Sequence, residues 1–157
     1  MNRKKEKYLD KISDYCFQKL EDVNNDTSKL NPVLQTVIAI YSAQGIIDNG
    51  GFQYFFENDF PQNPSYSFFS DSYRTIGADK AADNIDKAIQ LFGFQEPHKH
   101  IEQRIQFLEQ NDNEELPFHK LGDEICGDDS IWEKLADYTM ENKEVFEIPY
   151  RDRDAHH

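Results

Sequence analysis

The sequence predicts an all-α protein, a single domain of about seven helices. Apolar residues recur at steps of three and four along most of the chain, which is the period of a helix face. No window alternates apolar and polar residues long enough to indicate a strand. Glycine, proline or short polar runs separate the periodic segments. At 157 residues the chain fits one domain over residues 1–157: an N-terminal helix and linker (1–30), a helical core (31–147) and a tail (148–157). The tail ends in His156 and His157, which we interpret as the start of an affinity tag.

The first two helices differ in how much of their surface is apolar. The first has one apolar stripe, formed by Tyr8, Leu9, Ile12, Cys16, Leu20 and Val23. The second starts at Asn31-Pro32, a capping residue followed by proline at the first helical position. Apolar residues cover more than half of its circumference, so we expect it to be the central, most buried helix.

Asp48-Asn49-Gly50-Gly51 should stop that second helix, because glycine adopts left-handed backbone conformations readily. A short helix then carries Phe52, Phe55 and Phe56 on one face and ends near Asn58. Residues 52–73 contain nine aromatic residues. Their helical spacing favours a packed core over a stacking platform for bases, which the acidic chain would repel. Exposure of Phe60, Phe68 and Phe69 would indicate a third role, a patch recognised by a structural partner.

The remaining helices follow from the same pattern. We predict helices over residues 65–76, 78–92 and 98–110, the second of them closed by Gly93. The segment 116–127 has room for one short helix. The last helix is predicted to begin at the capping residue Ser130, with Glu133 three positions on in a capping-box arrangement.

The chain is strongly acidic. Thirty aspartates and glutamates face 17 lysines and arginines, which gives a net charge of −13 and a pI of about 4.7. This charge repels nucleic acid and anionic membranes, so neither is an expected partner. No apolar stretch approaches the roughly 18 residues of a membrane-spanning helix, and we expect a cytoplasmic protein with Cys16 and Cys126 reduced.

Most of the excess negative charge lies between Glu109 and Glu147, where thirteen acidic residues and three lysines give −10. Helical spacing places Glu133, Asp137, Glu141 and Glu144 on one outward stripe of the last helix, and four more acids precede this stripe. The predicted partner-binding residues are Asp123, Glu124, Asp128, Asp129, Glu133, Asp137, Glu141 and Glu144. Carboxylates one helical turn apart are about 5.4–6 Å apart along the axis, whereas phosphates on one DNA strand repeat every 3.4 Å, so imitation of DNA needs acids from several elements. The alternative interpretation of the stripe is an ordinary solvated helix face.

Motifs for catalysis or cofactor binding are missing from the sequence. His98 and His100 are two residues apart, which is the wrong spacing for metal ligands on one helix face, and no nucleophile elbow or phosphate-binding loop occurs. Asp128 and Asp129, helped by Glu124, could hold magnesium, but adjacent acids are usually a polar turn. We therefore predict no catalytic residues, no metal site and no cofactor.

Three blocks of the sequence resemble a bacterial DNA-mimic protein family, otherwise described as an all-helical domain of unknown function. The blocks are the run 49–58 (NGGFQYFFEN), the pieces Ile76-Gly77-Ala78 and Phe92-Gly93 followed by Arg104, and the closing segment 138–146 (YTMENKEVF). The similarity covers about residues 34–146. It implies an all-helical, often dimeric protein without known catalysis, whose characterised member offers carboxylates to a DNA-binding protein in place of DNA. It assigns no mimicry residue to this chain.

These observations lead to one leading functional hypothesis. The chain is a non-enzymatic acidic protein that blocks a basic nucleic-acid-binding or nuclease partner, either as a DNA mimic or as an immunity protein that neutralises a toxin. The alternative is a metal-assisted hydrolase that uses Asp128, Asp129 and a histidine.

Overall fold

Seven α-helices and three short 3-10 helices form the part of the chain that the computed structural model describes, residues 1–146. The α-helices are α1 (Arg3–Asp22), α2 (Pro32–Glu57), α3 (Tyr66–Thr75), α4 (Asp79–Leu91), α5 (Ile101–Gln110), α6 (Pro117–Asp123) and α7 (Asp129–Glu141). The 3-10 helices cover Thr27–Lys29, Pro97–Lys99 and Lys143–Val145. Residues 1–146 contain no strand, which confirms the predicted all-α class. The predicted tail at 148–157, with its two histidines, lies outside the described residues.

Helix α2 is the centre of the fold, as predicted. It packs against α1, α3, α5, α6 and α7. Its start is defined by Asn31, whose side chain accepts a hydrogen bond of 2.8 Å from the backbone N–H of Val33, and by Pro32 at the first helical position. Five of the other six α-helices thus pack directly on α2, and α4 packs on α3 and α6.

A kink at Gly50 and Gly51 divides α2 into two helical segments, in agreement with the predicted stop and restart. Gly51 has φ 63° and ψ −156°, a backbone conformation that residues other than glycine rarely adopt. A Cβ at Gly50 would lie 2.1 Å from the ring of Tyr54, so the Tyr54 side chain would have to move to admit any other residue. The kink turns the second segment so that Phe52, Phe55 and Phe56 enter the core.

The aromatic residues after the kink form the packed core that their spacing predicted. The rings of Phe55 and Phe69 meet edge to face with their centroids 5.3 Å apart, and both side chains are buried. Phe60 and Phe68 are only half-buried and line an apolar groove of about 220 Å³ beside α1. Of the three aromatic residues whose exposure would indicate a patch for a structural partner, two are partly exposed and Phe69 is buried.

Arg104 is the least expected member of this core, since its side chain is fully buried. Its Nε donates to the backbone oxygen of Phe56 at 2.8 Å, and its Nη1 donates to the oxygen of Pro97 at 2.8 Å. Its Nη2 donates to the oxygen of Asn58 at 3.2 Å and to the carboxylate of Asp59 at 2.7 Å. The guanidinium therefore closes the end of α2 onto α5.

Two predicted helix starts are wrong by a few residues. Helix α5 begins at Ile101 and not at His98, because Glu96 takes a left-handed conformation (φ 50°) and Pro97–Lys99 form a 3-10 turn. Helix α7 is capped by Asp128 and not by Ser130. The Asp128 carboxylate accepts hydrogen bonds from the backbone N–H of Ser130 at 3.0 Å and from its hydroxyl at 2.6 Å.

Candidate protein-binding surface

The predicted stripe of acids along the last helix is shorter than expected. Helix α7 ends at Glu141, and Asn142 takes the capping position after it. Glu144 lies beyond that cap, in the 3-10 helix Lys143–Val145, so it does not continue the stripe. Glu133 is half-buried on α7, while Glu141 and Glu144 are exposed. The helix therefore ends before Glu144, the fourth acid of the predicted stripe.

Two of the predicted binding acids form ion pairs with lysines of this chain. Glu124 lies 3.7 Å from Lys80 and accepts a hydrogen bond of 2.9 Å from Asn84, which, followed by the charge of Lys80, lowers the pKa of Glu124. Asp137 on α7 pairs with Lys5 on α1 at 3.0 Å. Both pairs are exposed, so water screens them and they add little to stability. A partner that engages either acid has to compete with its lysine.

Asp129 lines a groove between α1 and α7. This groove, here named the α1–α7 groove, has a volume of about 370 Å³, within the range of about 300–1,000 Å³ typical of ligand-binding clefts. Its lining combines acids, aromatic rings and aliphatic side chains: Met1, Glu6, Leu9, Asp10, Tyr41, Asp129 and Trp132. No lysine or arginine side chain from the described part of the chain lines it. Within residues 1–146 neither Glu6, Asp10 nor Asp129 forms an ion pair.

Hydrogen bonds hold the two aromatic residues of the α1–α7 groove in place. The indole Nε1 of Trp132 donates to Asp48 at 2.9 Å, and the hydroxyl of Tyr41 donates to Asp10 at 2.9 Å. The two rings meet edge to face with their centroids 5.2 Å apart. Burial raises the pKa of Tyr41, so its hydroxyl remains a hydrogen-bond donor at neutral pH.

Asp123 lies in a different place, in a groove beside the α2 kink. This second groove, the glycine-turn groove, has a volume of about 350 Å³. Its lining includes three carboxylates and the backbone of the kink: Asn49, Gly50, Gly51, Phe52, Gln53, Asp112, Glu114, His119, Asp123 and Cys126. The carboxylates of Asp112, Glu114 and Asp123 have no ion-pair partner within the described chain. Burial, followed by the charges of Asp48 and Asp123, raises the pKa of the Cys126 thiol.

The eight predicted acids are thus divided among separate locations. Asp129 and Asp123 belong to different grooves, Asp128 caps α7, and Glu124 and Asp137 pair with lysines on different helices. The structure instead brings Glu6 and Asp10 of α1 to Asp129, and Asp112 and Glu114 to Asp123. Whether any of these residues binds a partner stays a prediction.

Several of the groove residues were missed by the sequence interpretation. Glu6 and Asp10 are one helical turn apart on the polar face of α1, which is a detectable signal for a shared direction. Trp132 is the single tryptophan of the chain and lies three residues after Asp129, which is again one turn of a helix. The sequence does not show that these two helix faces meet.

The hydrolase alternative requires a histidine near Asp128 and Asp129. Asp128 is engaged in capping α7, and Asp129 lines the α1–α7 groove, whose lining contains no histidine from residues 1–146. His119 lies in the glycine-turn groove, where its Nε2 is 2.7 Å from the backbone oxygen of Asn111. Within residues 1–146 no three His, Cys, Asp or Glu side chains are grouped so as to hold a metal ion. The described part of the chain also has no helix with the length and apolar character to cross a membrane.

Comparison with known protein families gives a match to most of the chain. The family model described as DMP19-like protein matches residues 28–142, which is most of the chain. The match includes the glycine kink, the aromatic core, Arg104 and all of α7, and it begins after α1. No curated protein and no solved structure matches. Because the family model covers well over half of the sequence, this chain belongs to the DMP19-like protein family.

Proposed function

We propose that this protein is a non-enzymatic acidic binding protein that occupies the basic, nucleic-acid-binding surface of another protein. Membership of the DMP19-like family supports the proposal, together with the resemblance to proteins that present carboxylates in place of DNA. The net charge of −13 supports it as well, because such a charge attracts basic macromolecules and speeds their encounter.

One observation carries the proposal: six carboxylates line two grooves, and among the described residues no lysine or arginine side chain lines either groove. Like charges gathered in a concave surface repel one another, and a cationic partner removes that repulsion. Both grooves draw their acids from more than one element of the fold. The α1–α7 groove takes them from α1 and α7, and the glycine-turn groove takes them from α6 and the segment before it. A single helix could not reproduce the phosphate spacing of DNA, whereas acids from several elements have more freedom to do so.

Two biological roles share this physical basis. A DNA mimic displaces DNA from a DNA-binding protein, and an immunity protein covers the basic active site of a nuclease. In both, charge complementarity speeds association while a few apolar or aromatic side chains supply much of the affinity.

The proposal is tested by capture followed by competition. The immobilised protein is exposed to lysate of the native host at about 50 mM salt, and retained proteins are eluted by a gradient to about 500 mM. We expect a basic protein that is released early in the gradient. The purified partner is then assayed for DNA binding by fluorescence anisotropy, or for nuclease activity, with increasing amounts of this protein.

Loss of DNA binding in proportion to added protein identifies a DNA mimic, and loss of cleavage identifies an immunity protein. The proposal is wrong if the captured partner keeps full DNA binding and full nuclease activity when saturated. It is also wrong if complex formation is insensitive to salt, because binding by carboxylates has to weaken as ions screen them.

A further inference from the structure

We infer that the α1–α7 groove is an anchor site for an arginine side chain of the basic partner, seated on Trp132 and paired with the surrounding carboxylates. This inference rests on the proposed function and names the groove at which the basic partner binds. It depends on the coincidence of three features in one cleft: a defined volume, aromatic rings fixed by hydrogen bonds, and carboxylates from two helices that form no ion pair within residues 1–146.

The apolar lining of the groove, here called its floor, is held in position. It consists of Leu9, which is 2% exposed, and the half-buried rings of Tyr41 and Trp132, together with Met1. The hydrogen bonds to Asp10 and Asp48 fix both rings before any partner arrives. A surface that is already ordered loses little conformational entropy on binding, which favours affinity.

The walls of the groove carry negative charge that no ion pair neutralises within residues 1–146. Glu6 and Asp10 lie on α1, and Asp129, which lines the same groove, lies in the first turn of α7. Lys5 is adjacent to Glu6 in sequence but bonds to Asp137 at 3.0 Å, and it does not line the groove. The complementary occupant is therefore a cation.

Arginine fits this combination better than lysine or a metal ion. A guanidinium group is planar, so it stacks on an indole ring, and its several N–H donors reach carboxylates on two sides at once. The ammonium of lysine is a compact, strongly hydrated charge that gains less from a flat ring. A metal ion gains nothing from the aromatic floor. Arginine is also a residue that DNA-binding proteins direct at phosphates, so an anchored arginine would be withdrawn from DNA.

The glycine-turn groove provides a matched comparison within the same molecule. It too presents three carboxylates, Asp112, Glu114 and Asp123, and has a similar volume. Among its lining residues, the single phenylalanine, tyrosine or tryptophan is Phe52, which is 1% exposed and belongs to the core. Charge alone thus predicts equal binding at the two grooves, whereas an arginine anchor predicts binding at the α1–α7 groove.

The experiment titrates the full-length protein with a hexa-arginine peptide and separately with a hexa-lysine peptide. Trp132 is the single tryptophan, so its fluorescence reports the α1–α7 groove directly. We expect saturable change in the Trp132 emission with hexa-arginine, and at least threefold weaker binding of hexa-lysine. Calorimetry gives the affinities independently of the fluorescence.

Two triple variants separate location from charge. Glu6→Gln, Asp10→Asn and Asp129→Asn together should weaken hexa-arginine binding at least tenfold. Asp112→Asn, Glu114→Gln and Asp123→Asn remove the same three charges from the other groove and should weaken it less than threefold. Circular dichroism and urea unfolding verify that both variants are folded. Trp132→Phe, followed by calorimetry, should also weaken binding several-fold.

The inference is overturned if the two triple variants lose equal affinity, or if the peptide binds without changing the Trp132 emission. Its failure is distinguishable from failure of the proposed function. If the α1–α7 triple variant still blocks the captured partner as well as the parent protein does, the anchor site is wrong and the proposed function stands. If the groove binds hexa-arginine but no basic protein is inhibited, the proposed function is wrong.

Discussion

The carboxylate of Asp48 joins the tryptophan of the α1–α7 groove to the central helix. Its Oδ2 accepts a hydrogen bond of 2.9 Å from the indole of Trp132. Its Oδ1 accepts from the side chain of Gln44 at 2.7 Å and from the backbone N–H of Gly127 at 2.8 Å. One side chain of α2 therefore fixes both the loop that precedes α7 and the ring that forms the groove floor.

Asp48→Asn should destabilise the fold by about 1–3 kcal/mol, because one amide position becomes a donor and leaves the indole N–H or the Gly127 N–H without an acceptor. Urea unfolding followed by circular dichroism measures the change. Glu109→Gln, an exposed change on α5, is the control and should leave the unfolding midpoint unaltered. Equal midpoints for the two variants would show that Asp48 does not have this structural role.

Arg104→Lys should cost about 3 kcal/mol or more of unfolding free energy. Lysine cannot reach the oxygens of Phe56, Pro97 and Asn58 from one ammonium group, so buried acceptors and a buried charge lose their partners. The matched control is Arg74→Lys. Arg74 is an exposed arginine that bonds Asp83 and Asp86, and its replacement should have a much smaller effect. Thermal or urea unfolding compares the two, and similar losses would contradict the assignment of Arg104 to the core.

Two glycine-to-alanine changes should shift stability in opposite directions. A Cβ at Gly122 would lie 2.9 Å from the backbone nitrogen of Phe52, which cannot move aside easily, so Gly122→Ala should destabilise the protein by about 1–3 kcal/mol. Gly45 lies inside α2 with no atom within 4 Å of its added Cβ. Gly45→Ala should therefore stabilise the protein by about 0.5–1 kcal/mol through reduced backbone entropy of the unfolded chain. Urea midpoints of the two variants that move in the same direction would contradict the close approach of Gly122 to Phe52.

Alkaline pH should destabilise the protein through groups that are buried in their neutral form. Burial raises the pKa of Cys16 from 9.0 to about 12, and it raises the pKa of Tyr66 and Tyr73 above the usual 10.0. Above pH 9 the unfolded chain therefore binds fewer protons than the folded chain, and the unfolding free energy falls as pH rises towards 12. Each such group contributes up to about 1.4 kcal/mol per pH unit. Urea unfolding between about pH 8.5 and 10.5 measures the slope, and Cys16→Ala should have a shallower one than the parent protein. Identical slopes would contradict the role of the thiol.

The elements that the sequence predicted well depend on local chemistry. Asn31 and Pro32 start α2 through contacts within one turn, and the Gly50-Gly51 pair breaks it through its own backbone freedom. The error at the start of α7 has the same local origin. Asp128 and Ser130 are both capping residues, and the pattern gives no measure of which one wins when they compete.

The grooves could not be predicted because they depend on which helix faces meet. Glu6 and Asp129 are far apart in sequence, and helical periodicity shows a polar face without showing its neighbour. The burial of Arg104 could not be predicted either. A charged residue on α5 does not show that carbonyl groups at the end of α2 accept its hydrogen bonds. The number of acids near the last helix indicated a binding surface there. The aromatic rings that distinguish the α1–α7 groove come from α2 and α7 together, which the sequence does not show.

Helix α1 supplies one wall of the α1–α7 groove, yet it precedes residue 28, where the match to the family model begins. The scaffold that the family shares and the α1 wall of the proposed anchor site are therefore encoded in different parts of the chain. Exchange of the first helix alone should retarget such a protein towards another ligand while the helical scaffold stays intact.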